Sequence, residues 1–206
     1  MQFSLLPLND TYTTIANEPQ SEYKDKNSKF LGYAFEVNND QEIKNKLEKV
    51  RQSQPKASHY CYAYKLGLDD NNYRANDDGE PSGTAGIPIY NQILSAQFTN
   101  ILIVIVRYYG GINLGVSGLK EAYKTTAKTT LQNAVSQSKI IKTSFQIEFQ
   151  YPQMPDLMSL LKTNHFDILK QDYQEQAFVT VAVRLSLVGY FLEAVAKLEN
   201  VIIKAL

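Results

Sequence analysis

The sequence predicts an α+β protein built from two units, and three observations carry that reading. First, "ILIVIV" at 101–106 is an uninterrupted apolar run, the signature of a strand buried on both faces and covered by helices. Second, Ile141, Phe145, Ile147, Phe149 and Tyr151 alternate with Lys142, Ser144, Gln146, Glu148 and Gln150, as in a half-buried antiparallel strand. Third, seven of the ten glycines lie between Gly79 and Gly118, and only Gly189 follows. Backbone shaping is thus concentrated in the first unit. The expected division is residues 1–138 and 139–206, joined near 136–140.

Within the first unit, 28–37 reads as a strand. A helix follows with Ile43, Leu47 and Val50 at helical spacing. Asn39 and Glu42 resemble a capping box, and Pro55 stops it. The Tyr-rich 58–67 is a second strand and 69–72 a turn. Residues 86–97 form a helix with Pro88 in its first turn. After the buried strand, "GGINLGVSG" is read as a glycine loop, and 119–135 as a long helix with Leu119, Ala122, Tyr123, Ala127, Leu131 and Ala134 on its apolar stripe. In the second unit, the strand at 141–151 is followed by a short helix on Leu157, Leu160 and Leu161. A hairpin then turns Val179, Val181, Val183 and Leu185 inward, "LVGYFLEAVAKLEN" is a helix, and "VIIKAL" is a last strand. The order β-α-β-β-α-(β) is that of a ferredoxin-like unit.

Composition excludes several classes. Lys plus Arg equal Asp plus Glu at 21 each, which argues against a protein that coats nucleic acid but leaves room for a local basic face. No apolar run nears the roughly 20 residues that span a bilayer, so no membrane partner is expected. The N-terminus shows no signal-peptide pattern, and Cys61 is the single cysteine, which fits a reducing cytoplasm. Walker A, G-x-G-x-x-G, H-E-x-x-H and C-x-x-C patterns are missing, and "GEPSG" has Pro81 where a nucleophile elbow needs serine. No cofactor or metal is expected.

Two stretches remain. "DDGEPSGTAG" at 77–86 runs into a helix. Amides of Gly83 and Gly86 with the Ser82 and Thr84 hydroxyls would form an anion cradle. The alternative is a capped turn in which Asp77 or Asp78 bonds the backbone. Asp77, Asp78 and Glu80 could instead hold a hard cation, given further ligands. "RYYGGINLGVSGLK" at 107–120 places Arg107, Gly110, Gly111 and Gly115 ahead of a helix. Lys120, Lys124 and Lys128 follow at i, i+4, i+8, either a phosphate-binding stripe or a solvated face. His59 and Cys61 share a strand face and could form a nucleophile pair, although a small buried cysteine is the commoner case.

Together "NSKFLGYAF", "SHYCYAYKLG", "DDGEPSGTAG", "VIVRYYGGINLG" and "GLKEAY" resemble the YigZ/IMPACT family in order and spacing. The resemblance implies a first domain like domain IV of elongation factor G, a β-α-β sandwich shared with ribosomal proteins and GHMP kinases. It implies a ferredoxin-like second domain similar to domain V of that factor. It also links the chain to regulation of translation, since the eukaryotic members act on a stress kinase that senses uncharged tRNA. Ile87 stands where the family usually has lysine, and Val116-Ser117 where it has Thr-Gly. The expected function is that of a non-enzymatic RNA- or ribosome-associated factor, monomeric, with Tyr60, Tyr62, Tyr64, Tyr108 and Tyr109 divided between core and surface. The alternatives are an enzyme on a phosphorylated or peptide-like small molecule at the two glycine loops, and an interaction module for a translation-control protein.

Overall fold

A computed structural model describes residues 10–69, 71–173 and 177–206. Residues 1–9, residue 70 of the expected 69–72 turn and residues 174–176 of the expected second-unit hairpin lie outside the described residues. The chain divides into two compact units, Tyr12–Lys139 and a second built from Ile140–Leu206. Asp10 and Thr11 fall with the second unit, not the first. The Asp10 carboxylate accepts from Arg184 Nη2 at 2.8 Å, and its carbonyl accepts from the Ile141 amide at 2.7 Å.

The first unit runs β1 (Thr11–Ile15), β2 (Gln20–Asp25), β3 (Ser28–Glu36), α1 (Asp40–Ser53), β4 (His59–Lys65), β5 (Tyr73–Asn76), α2 (Gly86–Ser95), β6 (Ile101–Tyr108), α3 (Gly115–Gln132) and β7 (Ser136–Ile140). Five strands form a sheet of order β2-β3-β6-β4-β5, and every neighbouring pair is antiparallel. The apolar run is its central strand, and Ile101 through Val106 are fully buried. Alternation splits β6 between two cores. Ile101, Ile103 and Ile105 pack with α2 and α3, whereas Leu102, Val104 and Val106 pack with Ile43 and Val50 of α1. Asn39 caps α1 by accepting from the Glu42 amide at 2.9 Å, and Glu42 reaches back to the Asn38 amide at 2.9 Å. Past the other end of α1, the Gln54 side chain donates to Tyr33 Oη and accepts from Tyr108 Oη, while its carbonyl takes the Tyr60 hydroxyl. These tyrosines therefore close the α1 layer.

The segment 136–140, where the units divide, is itself a strand, β7, paired with β1. The glycine loop is shorter than expected, because 115–118 form the first turn of α3, entered through Gly115 at φ +72°.

The second unit runs β8 (Lys142–Phe149), α4 (Met154–Thr163), β9 (Asp167–Asp172), β10 (Phe178–Arg184), α5 (Val188–Val195) and β11 (Val201–Ala205). Its sheet order is β11-β8-β10-β9, antiparallel throughout. Phe145, Ile147, Phe149, Val179, Val181 and Val183 form one core with Leu157, Leu161 and Phe191 from the helices. Tyr151 and Leu185 depart from the expected inward rows: each begins a 3-10 turn just beyond its strand, and Tyr151 is exposed. Among the described residues, no helix is long and apolar enough to cross a membrane.

Candidate functional site

Sheet register brings the two glycine-rich stretches together. Arg107 continues the Ile101-Ile103-Ile105 row of β6, so it faces α3, and it pairs across the sheet with His59 of β4 and Phe30 of β3. Its Nη1 donates to Glu80 Oε1 at 2.7 Å, with both side chains almost wholly buried. Tyr123 Oη of α3 donates to the same oxygen at 2.8 Å, and Arg107 Nη2 donates to Ser28 Oγ at 3.3 Å. A long-range polar knot thus ties the first loop to β6, α3 and the start of β3. The sequence carries no sign of Ser28, and the apolar stripe of α3 accounts for Tyr123 only as a core residue. The signal for Tyr123 was chemical: a phenol in a buried helix position needs a partner for its hydroxyl.

The three motif acids diverge. Asp77 accepts from the backbone amides of Gly83, Ala85 and Gly86, each at 2.9 Å. Burial alone would raise its carboxyl, yet these three bonds outweigh burial and hold it below the ordinary value. Asp78 accepts from the Tyr60 amide at 2.7 Å and from Arg51 Nη2 at 3.1 Å. Glu80 serves Arg107 and Tyr123. The cradle expected from Gly83 and Gly86 is therefore filled from within: Asp77 occupies the place an anion would take at the α2 N-terminus. The Thr84 hydroxyl is also turned inward, to Pro81 O at 2.6 Å, whereas Ser82 is exposed. The capped turn is the arrangement found.

His59 and Cys61 do not bond each other. His59 Nδ1 lies 2.9 Å from Asp78 O, a carbonyl that can only accept, so Nδ1 carries hydrogen. Cys61 Sγ lies 3.0 Å from Asp77 O and 3.2 Å from Tyr123 Oη. Cys61 is fully buried, and burial pushes its thiol far up, the opposite of what a nucleophile needs.

The second loop gives a different result. Gly110 donates its amide to Ser28 Oγ at 3.2 Å, and a Cβ there would fall 2.1 Å from the Asn27 carbonyl carbon, so close packing requires glycine. Gly111 is exposed at φ +84°. Gly115 opens α3 beside a cleft of about 470 Å³ that Glu80, Arg107, Tyr109, Asn113 and Val116 also line. Lys120, Lys124 and Lys128 do not line it. They are exposed along α3, where Lys120 and Lys124 border a second hollow shared with Pro88 and Gln92 of α2. Lys124 pairs with Glu121 at 3.3 Å. Of the expected site residues, then, one group forms the internal knot and cap, one lines the cleft, and the lysines form a separate face.

Comparison with known proteins agrees with this architecture. Residues 26–131 match the Impact N-terminal domain. The IMPACT family member YigZ of Escherichia coli is 33% identical over 168 residues, covering 81% of this chain and 82% of that protein. The IMPACT family member YvyE of Bacillus subtilis is 27% identical over 190 residues, covering 92% and 88%. A crystal structure of a hypothetical protein superposes with a TM-score of 0.76 at 30% identity, across 97% of this chain and 98% of that one. On the matched domain and on identity maintained over most of both lengths, this chain belongs to the IMPACT family.

Proposed function

We propose that this protein is a non-enzymatic RNA- or ribosome-associated factor that takes part in regulating translation. One observation carries the reading. Lys120, Lys124 and Lys128 stand exposed on one face of the 18-residue α3, while Leu119, Ala122, Tyr123 and Ala127 anchor its other face in the core. The stripe rises about 12 Å along a rigid helix, and the pairing of Lys124 with Glu121 is exposed and therefore weak. Phosphate neutralisation by such a face is sequence-tolerant and salt-dependent. The internal commitment of the Glu80 and Asp77 carboxylates and the raised Cys61 thiol support binding over catalysis. The element order of the second unit, with strand order β11-β8-β10-β9, supports its reading as ferredoxin-like. The likeness of the two units to domains IV and V of elongation factor G belongs to the same proposal, as does the link to translation that the family resemblance implies.

The test is titration of wild type and a Lys120→Glu, Lys124→Glu, Lys128→Glu variant with structured and single-stranded RNA at several salt concentrations. With up to three contacts, wild type should show a salt slope near −2 on single strands, at about −0.7 per contact. The variant should be nearly flat with its fold intact. Equal binding by both, or none by either, would move the reading to a protein partner or to an enzyme.

A further inference from the structure

The flank of α2 that borders α3 is polar, uncharged and uncommitted. Asn91 and Gln92 of α2 share a hollow of about 320 Å³ with Lys120 and Lys124 of α3. Gln92 and Ser95 share a second hollow, of about 240 Å³, with Lys128. Gln92 lines both, so the two hollows are successive stretches of one groove. The early residues of α2 meet the early residues of α3 and the late meet the late, so the helices run side by side in the same direction.

The groove's side chains stand ready for a partner. Among the described residues, the side chains of Asn91, Gln92, Ser95, Lys120 and Lys128 make no hydrogen bond or ion pair. That sets them apart from the acidic motif, whose carboxylates are all engaged. No residue of α2 carries a charge. Glu121 is the acid that lines the groove, and it pairs with Lys124 at 3.3 Å. Three lysines against one glutamate leave an excess of positive charge, which calls for a polyanion.

Spacing narrows the polyanion. Lysines at i, i+4 and i+8 step by about 6 Å along a helix. Phosphates on one strand of a stacked duplex step by about 3.4 Å along its axis. A strand that meets successive lysines with successive phosphates is therefore stretched, and its bases are unstacked.

We propose that the α2–α3 groove takes an extended single strand of RNA, its phosphates along the lysines of α3 and its unstacked bases against Asn91, Gln92 and Ser95 of α2. The proposal rests on the RNA-associated reading; it adds α2 as a second wall and names the single strand as the form bound. Amide and hydroxyl side chains both donate and accept, so they meet any base edge or ribose hydroxyl without selecting one base. Paired bases cannot turn toward that wall.

The probes are dodecauridylate, dodecaadenylate and a closed RNA hairpin. Affinity should fall in that order, because adenines must first unstack and pairing removes the base edges altogether. Ser95→Lys adds a fourth cation to the groove at an exposed position in the last turn of α2, where a lysine suits the helix. It should steepen the salt slope by about 0.7 and tighten dodecauridylate binding about fourfold at 0.15 M salt. Gln52→Lys places the same charge on exposed α1, across the sheet from α2 and α3, and should change neither. Gln92→Glu should weaken binding about fourfold with the thermal midpoint near that of wild type. In wild type, the side-chain amide resonances of Asn91 and Gln92 should move on dodecauridylate addition. If those resonances stay still, or Ser95→Lys and Gln52→Lys act alike, while the triple-lysine variant loses binding, the groove is overturned and the RNA reading stands. A hairpin bound as tightly as dodecauridylate, or dodecaadenylate bound more tightly, would overturn the extended single strand. No binding of any probe by wild type would overturn the groove and the RNA reading together.

Discussion

Replacing Glu80 with glutamine isolates the charge in the buried knot. Glu80 and Arg107 side chains are 3% and 6% exposed and meet at 2.7 Å. Glutamine keeps an oxygen for the Tyr123 hydroxyl, so the hydrogen-bond frame survives while the counter-charge goes. Arginine cannot escape by losing its proton, and breaking one side of a buried pair typically costs about 3–5 kcal/mol. The rings of Phe30 and Tyr109, 5.5 and 5.3 Å from the guanidinium carbon, flank the cation in wild type and variant alike and do not enter the difference. Because the glutamine oxygen still accepts from Arg107, the expected loss is at the low end, about 3 kcal/mol. With a urea m-value near 2 kcal/mol/M, that is a fall in midpoint of about 1.5 M. Circular dichroism of urea unfolding reads it directly. A Glu80→Met, Arg107→Met double variant should recover part of the loss, since an apolar pair leaves no stranded charge. A Glu80→Gln midpoint within 0.5 M of wild type (about 1 kcal/mol), or a double variant less stable than Glu80→Gln, would refute the argument that the pair is a closed electrostatic unit.

Asp77→Ala should destabilise by about 1–2 kcal/mol, because three amides at the α2 N-terminus lose their acceptor. The Asp77 carboxyl is held below its ordinary value, so its stabilisation is complete above the unfolded value near 3.8 and fades as pH falls through the folded one. Urea midpoints of wild type and variant should therefore differ constantly at neutral pH and converge as pH drops below about 4. Gly110→Ala should cost about 2 kcal/mol by overpacking, since the new methyl would sit 2.1 Å from main-chain carbon of Asn27. An unchanged thermal midpoint would mean that the turn between β2 and β3 yields.

What the sequence revealed was mostly local. The apolar run of β6, the Asn39–Glu42 cap and the Pro88 start of α2 depend on residues within one turn or one strand, and each is present. What was not legible depended on distant partners. Ser136–Ile140 is polar and unpatterned, and becomes a strand only because β1, more than a hundred residues earlier, pairs with it. Alternation in the sequence continues to Tyr151, but β8 ends at Phe149 and the chain turns. In the site, the Asp77 cap spans six to nine residues and was one of two local readings. The Glu80–Arg107 pair was out of reach, because it requires knowing that Arg107 faces α3 and that the loop returns to the end of β6.

The acids of "DDGEPSGTAG" act as fasteners, each to a different element. Asp77 holds α2, Asp78 holds β4 and Arg51 of α1, and Glu80 holds β6 and α3. A loop fixed at three points holds its wall of the cleft in one conformation. The same saturation removes these groups from recognition: a carboxylate that already satisfies three amides, or one locked to a buried guanidinium, has little left to offer a partner. Under the proposed function, recognition falls to the exposed lysines along α3. Substitutions in the acidic motif should accordingly appear first as lost stability, with binding lost in proportion. Substitutions at the lysines should change the proposed RNA binding while the unfolding midpoint stays near that of wild type.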